Sequence, residues 1–138
     1  DQQPVGTPVT WVLAASPERE SILGGLRAGG TIVSRDASVR LPELHVIDNA
    51  GQIARIGAAV RIGGPIDVGW QADAHPGRQL RVLSCDGLIG TADLRSDQAR
   101  GTFRLDAEMA VAARHVRLEI RDADELIAMT NPIFLEAS

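Results

Sequence analysis

Lysine and tyrosine are absent from this 138-residue chain, and cysteine occurs once, as Cys85. A lone cysteine excludes an internal disulfide, and with it the class of small domains stapled by disulfides. It leaves the compartment open, with the cytoplasm as the expectation. Aromatic residues are limited to Trp11, Trp70, Phe103 and Phe134. The core must therefore be assembled from Val, Ile, Leu and Ala. No apolar run approaches the roughly 18 residues that a membrane-spanning helix needs. No basic start followed by an apolar middle marks a secretory signal. Neither Asn49 nor Asn131 stands in an Asn-x-Ser/Thr acceptor site. All fourteen basic residues are arginine, scattered among eighteen acids, for a net charge of −4. Without a basic stripe or a platform of stacking aromatics, nucleic-acid binding is excluded as a leading function. The chain opens on Asp1 rather than methionine, which reads as a processed, cut or trimmed protein.

What remains is an ordinary globular composition, 44% hydrophobic and 23% charged. A chain of this size forms one domain, or one domain plus a fragment of another, and buries roughly two-thirds of its unfolded surface. Residues 8–15, Pro-Val-Thr-Trp-Val-Leu-Ala-Ala, are continuously apolar and β-branched, the pattern of a strand covered on both faces in a parallel sheet. Ser16-Pro17-Glu18-Arg19-Glu20 reads as a helix start, with Ser16 as cap and Pro17 in the first position. Ile22, Leu23 and Leu26 make its apolar stripe, Gly29-Gly30 ends it, and Thr31 to Ser34 return as a strand. This strand–helix–strand unit, residues 1–34, is of the α/β type and looks foreign to the rest of the chain.

From residue 35 to 138 the pattern changes to short strands punctuated by Gly, Asp, Asn and Pro. Gln52 to Ile62 reads as a strand bent near Gly57. Ile66, Val68, Trp70 and Ala72 alternate at period two, as do Val116, Leu118 and Ile120. His75-Pro76-Gly77, Asp86-Gly87 and Asp122 to Glu125 read as turns, and Ser96 to Gly101 as a polar loop. Residues 106–115 favour helix locally but read as a loop, at most with one helical turn. The expected fold is mainly β: an antiparallel, immunoglobulin-like β-sandwich preceded by the strand–helix–strand unit.

Chemistry is hard to find in these residues. His45, His75 and His115 are far apart, and none belongs to a His-x-His or His-Glu-x-x-His motif. Asp122, Asp124 and Glu125 lack the twelve-residue calcium-loop pattern. Ser84-Cys85-Asp86 sets the thiol beside an acid, which disfavours the thiolate, and Cys85 reads as a small strand residue. No Gly-x-Ser-x-Gly elbow occurs. Gly63-Gly64-Pro65 and Gly24-Gly25 lack the spacing and the lysine of a phosphate loop, so Gly24-Gly25, inside the helix, reads as a close packing contact. Thr130-Asn131-Pro132 reads as a structural corner that locks the last strand. No catalytic, cofactor-binding or metal-ligating residue is assigned.

Three segments in order nonetheless resemble one family. Gly6-Thr7-Pro8-x-Thr10-Trp11-Val12 resembles the closing barrel strand of PHP-superfamily metal-dependent hydrolases of the carbaryl-hydrolase-like kind. Ile22-Leu23-x-x-Leu26-Arg27-Ala28-Gly29 resembles the helix after it. Thr130-Asn131-Pro132-Ile133 before an aromatic resembles the family's terminal signature, with Phe134 where tyrosine is usual. The resemblance implies a parent phosphoesterase-like enzyme whose N-terminal barrel holds two or three divalent metals. It implies that the chain is the C-terminal accessory part, with that barrel as its partner. The family's last ligands, an Asp-x-His shortly before this strand, are not supplied by Asp1-Gln2-Gln3, so no cofactor belongs to this chain and the fragment should be inactive. The other reading is a free-standing β-sandwich that binds a partner. If residues 8–34 once closed a barrel they should expose apolar surface and could self-associate through it; a self-sufficient module would bury them.

Overall fold

In a computed structural model the described residues, 8–95 and 99–138, are mainly β, with twelve strands in two sheets and two helices. In chain order these are β1 (Val9–Val12), α1 (Arg19–Arg27), β2 (Thr31–Ser34), β3 (Glu43–Ile47), β4 (Ile53–Arg55) and β5 (Ala59–Ile62). Then come β6 (Ile66–Gln71), β7 (Arg78–Ser84), β8 (Gly87–Asp93), β9 (Arg100–Leu105), α2 (Ala107–Ala113), β10 (His115–Asp122), β11 (Glu125–Thr130) and β12 (Ile133–Ala137). Gly6, Thr7 and the first half of the Ser96–Gly101 loop lie outside the described residues.

The smaller sheet runs β4-β3-β6-β9, all antiparallel. In the larger one, β10 is central, with β11, β2 and β1 on one side and β7 and β8 on the other. Period-two alternation points the apolar sides of the two sheets at each other. Val46, Val68 and Trp70 from the smaller sheet share one core with Leu80, Val82, Leu118 and Ile127 from the larger. The alternating runs expected at 66–72 and 116–120 are both buried.

The segment 8–15 differs from its sequence reading. β1 is a four-residue edge strand, antiparallel to β2 and only partly buried. β2 in turn pairs with β11, so the strand–helix–strand unit extends the larger sheet. Strand direction is not written in an apolar run; the tight return through Gly29 (φ 74°) and Gly30 sets it. Trp11 is tied in by an indole N–H donating to Ser34 Oγ at 2.9 Å, and Ser34 Oγ donates on to the Asp36 carbonyl at 2.8 Å.

α1 also starts later than its capping signal. Glu18 occupies the cap without a side-chain bond, and Ser16 instead donates its N–H to Ser21 Oγ at 3.0 Å. The helix lies against β1 through Gly25, where a Cβ would strike the Leu13 carbonyl and Val12 Cγ1, whereas Gly24 faces open space. The expected packing contact is therefore Gly25 alone. Gly24→Ala should tighten α1 by roughly 0.5–1 kcal/mol, and Gly25→Ala should push it off β1. Amide exchange across 19–27 should slow in the first variant and quicken in the second. Equal effects of the two would contradict this packing.

Within the run 106–115, where a loop was expected, Ala107–Ala113 form a true helix. The Asp106 side chain accepts the Met109 N–H at 2.8 Å, and Ala110 and Ala113 are buried beneath β12 and β9. The run 52–62 is not one bent strand: β4 belongs to the smaller sheet and β5 to the larger, with Gly57 (φ 88°) at the crossing. β5 then pairs parallel with β12, the one parallel pair among the described strands.

Candidate interaction surface

The residues that chemistry would use are kept apart by the fold. His45 stands in β3 opposite Gly69 of β6, its imidazole filling the space where a Cβ would go. His75 is in the loop between β6 and β7, its Nδ1–H donating to the Pro76 carbonyl at 2.9 Å. His115 begins β10 in the other sheet, and its Nδ1 is buried without a partner. Among the described residues no group of three or more His, Cys, Asp and Glu converges to hold a metal. The described residues therefore do not fit the divalent centre of a hydrolase.

Cys85 is in the two-residue turn between β7 and β8 rather than in a strand. Its thiol is directed at the Ala112 carbonyl, 3.5 Å away. Partial desolvation and the neighbouring Asp86 carboxylate push the thiol above its usual range, the opposite of what a nucleophile requires. Asp122, Asp124 and Glu125 surround the β10–β11 turn, where Ala123 takes φ 51°. Arg121 donates to the Asp124 carbonyl at 3.1 Å, and Arg35 approaches Glu125 at 3.5 Å. Gly64 packs against Asn49, a plain turn contact.

Thr130-Asn131-Pro132 is the corner the sequence suggests. Between the pairs Glu119↔Met129 and Val116↔Ile133, two residues of β10 face the three residues of the corner, where β11 ends and β12 begins. Across it the outer neighbour changes from β2 to β5. Thr130 Oγ1 accepts the Leu118 N–H at 3.0 Å, Asn131 Nδ2 donates to the Gly29 carbonyl at 3.1 Å, and the Pro132 carbonyl accepts the Gly57 N–H at 2.9 Å. The corner thus ties the end of α1, the β4–β5 crossing and the last two strands together.

Two surfaces stand out. At the β1–α1 end, Leu13, Ile22 and Leu26 are 51%, 37% and 46% exposed, and α1 contributes no buried residue. Leu13 also borders an apolar hollow of about 260 Å³ with Ile32, Leu41, Pro42 and Ile56. An amphipathic helix ordinarily turns its stripe to a core; here Ile22 and Leu26 of the stripe face outward while Leu23 is half-buried.

The second surface is the solvent side of β10. Glu119 is only 6% exposed although its strand position points away from the core, because Arg117 and Arg121 close over its carboxylate from the same face. Alternation alone marks Glu119 as a solvated residue. The signal for its burial is the Arg-x-Glu-x-Arg spacing, which places all three side chains on one face. Burial pushes the Glu119 carboxyl up, but the hydrogen bonds and charges of the two arginines outweigh it and hold the group below its usual range. A lowered folded-state pKa contributes stability above the unfolded value, about 4.3, and that contribution fades as pH falls through the folded value. Glu119→Gln should therefore cost about 1–2 kcal/mol at neutral pH. The gap from the parent chain should close below about pH 4. Urea melts of both chains across this range provide the check, and a pH-independent gap would exclude the ion pair as its source.

Comparisons with protein-family models, with curated proteins and with solved structures find no match.

Proposed function

We propose that this chain is the non-catalytic C-terminal part of a PHP-type metal-dependent phosphoesterase or related hydrolase. In this reading its immunoglobulin-like sandwich is seated on the catalytic barrel through the β1–α1 end. The observation that carries the proposal is the outward stripe of α1. Ile22 and Leu26, together with Leu13, leave between about a third and half of their apolar surface open to water in the described chain. Exposed apolar side chains at one end of a fold are what a protein contact removes from water. Trp11, Asn131 and Gly57 fasten this end to the sandwich, so a barrel docked there would be held firmly by the β domain. Hydrolytic chemistry, and the two or three metals it uses, reside in the barrel, and the β domain supports it and borders access to it.

The test has two parts. The in-frame coding sequence upstream of Asp1 should carry an Asp-x-His close by and a His-x-His far upstream; a start codon immediately before Asp1 would sink the proposal. Leu26→Glu should alter the stability of the 138-residue chain by no more than about 0.5 kcal/mol, as an exposed substitution does. In the barrel-bearing protein the same change buries an unpaired charge and should cost several kcal/mol. Equal small effects in both would mean that α1 is not the contact.

A further inference from the structure

The solvent side of β10 continues onto β7, its neighbour in the larger sheet. The register sets Arg81 across from Glu119, Leu83 across from Arg117 and Gln79 across from Arg121. All six point outward, because Leu80, Val82, Leu118 and Ile120, which alternate with them, are core residues. Met129 of β11 flanks Glu119 on its other side and is 36% exposed.

The charges on this face do not balance. Arg117 donates to Glu119 Oε1 and Arg121 to Glu119 Oε2, so both carboxylate oxygens are engaged from their own strand. Arg81, directly across, makes no ion pair among the described residues. Its Nε donates to Gln79 Oε1 at 2.8 Å, and its terminal nitrogens have no acceptor among the described residues. Arg117 uses a single N–H on Glu119, out of the five a guanidinium carries. The β7–β8 register adds one more carboxylate, Asp93, which pairs with Arg95 at 3.0 Å. Three arginines against Glu119 thus leave a local positive excess on a chain whose net charge is −4. These groups are within reach of a partner: the side chains of Arg117 and Arg121 are 32% and 27% exposed, and Arg81 is half-buried. Their bonds to Glu119 and Gln79 also hold them in place, which lowers the ordering cost that a partner would meet.

We propose that the outer face of β7 and β10 docks an extended acidic segment of a protein partner. Its carboxylates accept from the free N–H groups of Arg81 and Arg117, and its intervening apolar side chains cover Leu83 and Met129. Composition fits this occupant, because protein contacts are rich in arginine and methionine and poor in free carboxylates. Spacing fits it too. Arg81 and Arg117 are diagonal neighbours on adjacent strands, with Cα atoms about 7 Å apart. Alternate residues of an extended segment are separated by about 7 Å as well. A phosphate backbone or an anionic bilayer would seek a continuous basic stripe. Here Glu119 interrupts the arginines, and the charge of the whole chain repels a polyanion.

The test uses the 138-residue chain, labelled for amide NMR. The first probe is an end-blocked octapeptide with glutamate at every second position and valine or serine between. The other two are its glutamine counterpart and an oligothymidylate of equal length. The acidic peptide should bind saturably with a Kd on the order of 1 mM at low salt. It should move the amides of Arg81, Leu83, Arg117 and Glu119, and weaken at least fivefold in about 0.5 M salt. The glutamine peptide and the oligothymidylate should each bind at least fivefold more weakly. Arg81→Gln should weaken the acidic peptide at least fivefold, and Arg81→Glu further. Arg104→Gln, on the other sheet, should leave it unchanged. If a variant does not fold, the ranking of the three probes and the location of the shifts in the unaltered chain decide the matter. The proposal fails if the acidic peptide does not saturate or moves other amides instead. It also fails if the glutamine peptide binds as well, if the oligothymidylate does, which would mark a phosphate-binding face, or if folded Arg81→Gln binds like the parent. None of these outcomes depends on whether a barrel docks at α1.

Discussion

Gly57→Ala is expected to destabilise the chain more than any other single-methyl change at its surface turns, by on the order of 3 kcal/mol. Two costs combine. Gly57 holds φ at 88°, where an L side chain crowds its own backbone, at roughly 1–2 kcal/mol. Its added Cβ would also run into the Ala28 carbonyl and the Gly29 backbone, neither of which is the free end of a flexible side chain. Relief requires moving either the end of α1 or the β4–β5 crossing, and the crossing is held by the Gly57 N–H bond to the Pro132 carbonyl at 2.9 Å. Gly51 supplies the control, because it has φ 84° with nothing within 4 Å of a Cβ. Gly51→Ala should therefore show the backbone cost alone, about 1 kcal/mol. Thermal melts should place Gly57→Ala about 10 °C below the parent and Gly51→Ala a few degrees below. Equal shifts would mean that the approach of Gly29 to Gly57 is not a real constraint.

Gly57 also shows what the sequence could and could not reveal. A glycine between two apolar runs announces a bend, and the bend is there. That the bend carries the chain from one sheet to the other depends on which strands lie alongside, and period-two alternation is the same in either sheet. The same limit explains β1. Its apolar run reads as a doubly covered strand, but an edge strand with a helix packed on it through Gly25 carries the same residues. The runs 66–72 and 116–120 are legible because each alternates cleanly against polar neighbours. α2 reads as a loop because its capping aspartate and alanines are weak signals between two strands, and burial of Ala110 and Ala113 against β9 and β12 decides in favour of helix. Of the interaction surface, the stripe at 22, 23 and 26 is visible as a pattern, though the outward orientation of Ile22 and Leu26 is not.

Thr130→Val is the sharper test of the corner. Thr130 is 4% exposed, and its hydroxyl oxygen accepts the N–H of Leu118, a residue with no exposed surface. At this point of β10 the partner passes from β11 into the corner, and the Thr130 side chain supplies the acceptor. Valine keeps the shape and removes the oxygen, leaving a buried backbone donor unmet at about 1–3 kcal/mol. Serine keeps the oxygen and loses a methyl, worth about 1 kcal/mol in a buried site. Urea melts should thus rank parent, Thr130→Ser, then Thr130→Val. The amide of Leu118 should lose exchange protection in the valine variant beyond the global loss, while its neighbours on the β7 side, Glu119 and Arg117, follow the global value. This local signature separates a missing acceptor from a general loosening of the core. A valine variant as stable as the parent would show that Leu118 finds another acceptor, and the Thr-Asn-Pro corner would then rest on Asn131 and Pro132 alone.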